Sequence, residues 1–314
     1  MEEFMIMLRN VLMFVALAIP GYILVKGKLL KPEQSGVLSK LLMYVALPFM
    51  IFSGVVKNLT FDKESLVMLG IVAVIGIVAV LGMFFVSAPL TKMEKNRKTR
   101  GMMRFCTVFA NNGFLGIPLA VAVFGADSPA FTVLIVLNII NNVLMYTLGA
   151  YLATGDKKNI SIKKAFVNPV LISFVLGCLC NLLGVAKYIP EVATFSNHFS
   201  NIVTPVSMTV IGMKLGAVPL RTLFRSGRLY YVSLLKLVLF PAVITAALLA
   251  VKGIATEIIL GVFIAYATPT AGLSATFADE FGGDTENAVI FTLGTTVLSV
   301  LTIPTLYWVL NLFV

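Results

Sequence analysis

Apolar residues in this chain gather in runs long enough to cross a bilayer. Charged or Gly/Pro-rich links separate the runs at short intervals. Ten such segments stand out: 5–25, 36–56, 65–90, 101–124, 129–153, 167–185, 199–219, 228–250, 256–281 and 287–313. The third, "SLVMLGIVAVIGIVAVLGMFFVSAPL", carries no charge and exceeds the roughly 18–20 residues a membrane helix needs. The pattern predicts an all-α polytopic membrane protein with ten transmembrane helices. No link reads as a separate soluble domain.

Composition points the same way. Only 12% of the 314 residues are charged and mean hydropathy is +0.99, whereas a soluble chain carries about 25% charged residues. A net charge of +10 raises the question of nucleic acid, but the basic residues flank the spans. With the N-terminus outside, eighteen Lys and Arg fall at inner ends, among them Lys26, Lys92, Lys157, Lys158, Lys214 and Arg228. Five (Arg9, Lys57, Lys63, Lys187, Lys252) fall at outer ends, and Lys236 alone is mid-span. The positive-inside bias places the chain in the cytoplasmic membrane with both termini outside, and no nucleic-acid partner is expected. The start, "MEEFMIMLRN", is acidic and does not read as a cleavable signal peptide.

Shifting the sequence by 157 residues, half its length, superposes it on itself. Pro48 lands on Pro205, Asn112 on Pro269, Phe124-Gly125 on Phe281-Gly282, and Asp127 on Asp284. One gapless offset carries the first five spans onto the last five. An odd number of spans per copy inverts the second copy, so the halves 1–156 and 157–314 read as inverted five-helix repeats, the ground plan of many secondary transporters.

The fourth span of each half is interrupted at matching positions, by "ANNGFLGIP" and "ATPTAG". Proline removes a backbone donor and clashes with the preceding turn, and glycine weakens a helix. Unwound backbone inside a bilayer survives only where protein or a water-filled cavity satisfies it. Paired interruptions mark a midplane site, with half-helix N-termini favouring an anion. Asn111, Asn112, Gly113, Thr268, Pro269 and Thr270 are therefore the candidate substrate-binding residues. In the fifth span, Asn138, Asn141 and Asn142 share a face. Asn138 and Asn142 join the candidate list, and Thr295 is the repeat mate of Asn138.

Lys236 lies deep in the eighth span, and its repeat mate is Ala79. A lysine at that depth costs about 2.5–3.5 kcal/mol on insertion scales and marks function, here charge balance or ion coupling. The alternative is snorkelling towards the surface. Asp127 and Asp284 read as helix N-caps, and Ser53 is a minor candidate. His198, the only histidine, reads as interfacial. Three cysteines inside apolar spans make no disulfide framework. No metal-ligand cluster, HExxH or phosphate-binding loop is present. No metal, cofactor or enzymatic activity is expected.

The stretches "NNGFLGIPL", "PTAGLSATFADEFGGD", "YVALPFMIFSG" and "LLKLVLFP" resemble the motifs of the auxin efflux carrier family. That family includes bacterial malonate- and malate-type permeases and plant PIN carriers. Only "TGDKKNISIKKA" joins the halves, so the chain resembles compact prokaryotic members. The resemblance implies a fold like that of bile-acid symporters and NhaA, with helices 4 and 9 broken and crossing. It implies a scaffold of helices 1, 2, 6 and 7, a transport domain of helices 3–5 and 8–10, an elevator-like motion and a homodimer. It also makes Asn111, the first Asn of the break, a substrate contact.

The expected function is secondary transport of a small organic anion, a mono- or dicarboxylate, with proton or sodium coupling open. A cation–proton antiporter of similar architecture would need a titratable carboxylate in mid-span, and none is present. A membrane metabolite sensor that does not transport is the remaining alternative.

Overall fold

A computed structural model describes residues 2–155 and 162–314. The junction of the two expected halves, with Asp156, Lys157 and Lys158, lies outside the described residues. The described chain is helical, and its only bridge between extended segments is an isolated one.

Among the described residues, thirteen helices carry the architecture, apart from a few single turns. They are α1 (Glu2–Lys26), α2 (Pro32–Asn58), α3 (Lys63–Leu90), α4 (Arg97–Val108), α5 (Asn112–Phe124) and α6 (Pro129–Ala153). After the junction come α7 (Pro169–Leu182), α8 (Glu191–Asn201), α9 (Val203–Ala217) and α10 (Gly227–Leu249). The last three are α11 (Thr256–Ala267), α12 (Ser274–Glu280) and α13 (Thr285–Leu310). Among the described residues, six helices are long and apolar enough to cross a membrane: those in spans 1, 2, 3, 5, 8 and 10. The other four expected spans differ. Spans 4 and 9 are split into α4/α5 and α11/α12. Span 7 bends at Ile202 between α8 and α9. Span 6 is the 14-residue α7, bounded by the Asn168 cap and Gly184 at φ 66°.

Caps explain many starts. Asp62 accepts from the Ser65 N–H, Asn96 from Lys98 and Thr99, Asn168 from Val170, and Asp284 from Asn287. Each satisfies a donor that the first helical turn leaves unpaired. Asp284 is thus the expected cap. Asp127 is not: the next residue, Ser128, accepts from Ala130, because Pro129 begins the helix and sets its first turn one position later.

α1 packs along α9, α2 along α7 and α8, and α6 between α3 and α11. α13 touches α1, α4, α10 and α12. The closest approach is between α1 and α9. A Cβ at Gly21 would overlap the Thr209 carbonyl, and one at Gly212 would overlap the Ala18 carbonyl. Small residues permit this backbone-to-backbone contact. Asn181 of α7 donates to the carbonyls of Val55, Val56 and Leu59 at 2.9–3.1 Å, closing the end of α2. α3 buries the stripe Val72, Gly76, Val80, Met83 and leaves Val74, Val78 and Phe85 exposed. An exposed apolar face of that size suits lipid.

Candidate functional site

α4 ends at Val108, and Phe109 turns extended at φ −91°, ψ 131°. α11 ends at Ala267, and Thr268 does the same at φ −64°, ψ 151°. The freed segments run antiparallel past each other. Ala110 bridges Thr270, the Asn111 N–H donates to the Pro269 carbonyl at 2.8 Å, and the Ala271 N–H donates to the Phe109 carbonyl at 3.0 Å. Each break therefore supplies the hydrogen bonds the other has lost. Pro269 needs no partner for an N–H it does not have.

Side chains complete the outer edges. The Ala110 N–H donates to Asn141 Oδ1, and Asn141 Nδ2 donates back to the Ala110 carbonyl. The Thr270 N–H donates to Thr295 Oγ1 at 3.2 Å. The open helix ends are also covered. Thr270 Oγ1 donates to the Cys106 carbonyl at 2.8 Å, and Lys236 Nζ donates to the Tyr266 carbonyl at 3.3 Å. The Thr268 hydroxyl lies between the Ala265 carbonyl (3.0 Å) and Asn112 Oδ1 (3.2 Å). A cation or hydroxyl at a helix C-terminus meets its unpaired carbonyls and the negative end of its dipole.

The register departs from the sequence offset. Thr270 stands opposite Ala110, where a shift of 157 would put Ala267. The first turn of α5 explains part of this, because it is π-wound: Asn111 O accepts from both Leu115 and Gly116. A wider turn uses more residues per unit of height.

Beside the crossing lies a cavity of about 50 Å³, room for a few waters or a carboxylate-sized group. Asn111, Gly113 and Phe114 line it from the start of α5, and Asn138, Asn141, Asn142 and Met145 from α6. Ala271, Gly272 and Leu273 line it from the second break, with Met43, Leu47 and Val170 closing it from α2 and α7. Of the sequence candidates, Asn111, Gly113, Asn138 and Asn142 face the cavity. Asn112, Thr268, Pro269 and Thr270 are buried in the crossing and hold it together. Sequence reasoning placed Asn141 on the right helix face but left it off the candidate list. It gave no sign of the residues α2 and α7 contribute, because apolar side chains at one helical spacing look alike.

The cavity is rich in donors. Asn138 Oδ1 accepts from Asn142 Nδ2 at 3.0 Å, but Asn138 Nδ2 is buried with no hydrogen-bond partner. A buried unpaired amide donor costs about 1–3 kcal/mol. Gly113 and Phe114, in the first turn of α5, also line the cavity, and the first turn of a helix leaves its N–H groups without intrahelical partners. No Asp or Glu is among the lining residues. Lys214 of α9 reaches inward, its Nζ donating to the Gly272 carbonyl at 3.2 Å. By sequence position it is one of the charges at the cytoplasmic ends of the spans. Lys236 is fully buried behind the crossing and does not line the cavity, so it does not snorkel. Among the described residues no group of His, Cys, Asp and Glu could hold a metal ion.

Apolar helices around crossed breaks define a membrane protein of the transporter class. Residues 6–307 match the family described as membrane transport proteins. The chain belongs to that family, the auxin efflux carrier family its motifs resemble. It is 26% identical to an uncharacterized transporter of Methanothermobacter thermautotrophicus, over 94% of this chain and 95% of that one. It is also 26% identical to an uncharacterized transporter of Methanocaldococcus jannaschii, over 98% and 99% of the two chains. The protein is a multi-pass membrane transporter and not an enzyme.

Proposed function

We propose that the chain is a secondary active transporter that carries a small organic anion, a carboxylate, across the cytoplasmic membrane. The observation that carries this reading is the unpaired Asn138 amide donor, buried in the wall of an acid-free cavity. A carboxylate oxygen would satisfy it, with Asn111 and the N-terminal turn of α5 as further donors. The size of the cavity favours a small headgroup.

The helices group as ten spans in two inverted repeats. Supporting this are the 157-residue offset and the two breaks that cross as a pair. The strong α1–α9 and α2–α7 packing fits a scaffold of spans 1, 2, 6 and 7. Spans 3–5 and 8–10 then carry the crossing in an elevator-like motion within a homodimer, with both termini outside. Lys236 supplies a fixed positive charge within the moving part, on the Tyr266 carbonyl where a coupling cation could otherwise sit.

The test is a thermal-shift screen of small mono- and dicarboxylates on purified protein, since a ligand that binds only the native state stabilises it. Carboxylates should raise the unfolding temperature of the wild type and do so far less for Asn111→Ala. Equal stabilisation of both proteins would remove the site. Binding without uptake into proteoliposomes would make the protein a sensor rather than a carrier.

A further inference from the structure

We propose that a second anion site, centred on Lys57, forms the outer antechamber of the crossing, and that Lys214 is its counterpart on the cytoplasmic side. The inference rests on the anion-carrier reading and adds the route by which the anion arrives and leaves.

A cavity of about 340 Å³ opens at the outer end of α2. Ser53, Lys57, Asn58, Asn197, Ser200 and Asn201 give it its polar wall, and no Asp or Glu is among its lining residues. Lys57 Nζ donates to Asn197 Oδ1 at 3.3 Å, and Ser53 Oγ donates to the same oxygen at 2.9 Å. An amide oxygen holds the ammonium in place but leaves its charge uncancelled. A carboxylate is the stronger acceptor, because both partners are then ionised. Asn58 is tied to the Ala126 carbonyl, so the wall spans α2 and the link between α5 and α6.

The repeat offset of 157 that carries Pro48 onto Pro205 also carries Lys57 onto Lys214. Lys214 is the lysine whose Nζ sits on the Gly272 carbonyl, at the wall of the cavity that Asn111 lines. One lysine thus stands on each side of the crossing, on symmetry-related helices that belong to the proposed scaffold. An anion moving from the crossing to either face meets one of them. Each has only a neutral oxygen to give up in exchange.

The test uses the full-length protein in membrane vesicles with Cys106, Cys178 and Cys180 replaced by alanine. Alkylation of Ser200→Cys by an impermeant maleimide is timed from the outer side, with malonate as the probe and malonamide as its uncharged control, at constant ionic strength. Malonate should slow the reaction and malonamide should not. Lys57→Met should raise the malonate needed for half-protection about tenfold or more, as for a lost charge-assisted hydrogen bond. Lys57→Arg should restore protection. Asn111→Ala should leave it intact. In inside-out vesicles, protection of Met43→Cys should depend on Lys214 in the same way. Absence of malonate protection at Ser200→Cys, or protection indifferent to Lys57→Met, overturns the antechamber. Protection lost in Asn111→Ala but kept in Lys57→Met also overturns it while leaving the carrier reading standing. If Asn111→Ala leaves malonate stabilisation of the fold unchanged while Lys57-dependent protection persists, the crossing site fails and the antechamber stands.

Discussion

The carboxamide of Asn141 and the peptide of Ala110 form a closed pair of hydrogen bonds, each 3.2 Å long and each running in the opposite sense. A side chain here does the work of a third strand beside the two crossed segments. Asn141→Leu would leave a buried N–H and a buried carbonyl unpaired, at about 1–3 kcal/mol each. A drop of about 2–6 kcal/mol in stability is expected, read as an early thermal transition of the detergent-purified protein. An unchanged transition would show that this pair does not hold the crossing.

The two asparagines of the first break should separate by phenotype. Asn112 bonds within the crossing to Thr268, while Asn111 faces the cavity. Asn112→Ala should cost about 1 kcal/mol of stability and leave carboxylate affinity near wild type. Thr268→Val should cost a similar amount, and the double variant less than their sum. Asn111→Ala should fold normally and lose affinity about tenfold or more. Isothermal titration beside thermal unfolding distinguishes the two patterns.

Lys236 is fully buried, with its Nζ on the Tyr266 carbonyl. Lys236→Met keeps the length and removes the charge. Transport in proteoliposomes should fall or change its voltage dependence, and Lys236→Arg should restore it in part. Wild-type transport with unaltered voltage dependence in Lys236→Met would leave the lysine a structural plug.

The charge bias predicts a sidedness. A cysteine at Lys95, in the exposed link before α4, should be shielded from impermeant thiol reagents in intact cells, and one at Asp62 should react. The reverse labelling would turn the molecule over and exchange its outer and inner cavities.

At the end assigned to the cytoplasm, Asp284 caps α13 and accepts from Thr99 Oγ1 at 2.6 Å. Partial burial raises its carboxyl, but hydrogen bonds from Thr99 and Asn287 outweigh this and hold it below the usual value of 3.8. Its contribution is therefore complete above the unfolded-state pKa and fades as pH falls through the lower folded value. Asp284→Asn should remove that acid sensitivity, with a loss of about 0.5–2 kcal/mol at neutral pH if the cap weakens. Unfolding scans between pH 7 and the onset of acid unfolding would test this, and identical pH profiles would count against it.

Much of this was written in the chain, though unevenly. Length and apolarity located the six helices long enough to cross a membrane, and "ANNGFLGIP" with "ATPTAG" located both breaks, because proline, glycine and asparagine have few other reasons to sit in hydrocarbon. What periodicity cannot carry is the direction in which a side chain leaves its helix once the backbone unwinds. Asn111 and Asn112 are neighbours of one type, yet only the first lines the cavity. Thr268 and Thr270 looked like ligand groups and are spent on Ala265, Asn112 and Cys106. Lys214 reads only as a charge at a cytoplasmic end because hydropathy reports position along the chain, and the direction of its stem, which carries the ammonium to the Gly272 carbonyl, is visible only in the structure.

The glycine contact between α1 and α9 sets a limit on how the molecule can change shape. Most helix pairs meet through a layer of side chains that can switch rotamers and let one helix slip past the other. At Gly21 and Gly212 that layer is missing, and peptide meets peptide. Such a joint has nothing to lubricate it: it stays closed or it comes apart. In the proposed elevator, movement therefore falls at seams padded with methionine, leucine and phenylalanine, and α1 with α9 moves as one piece.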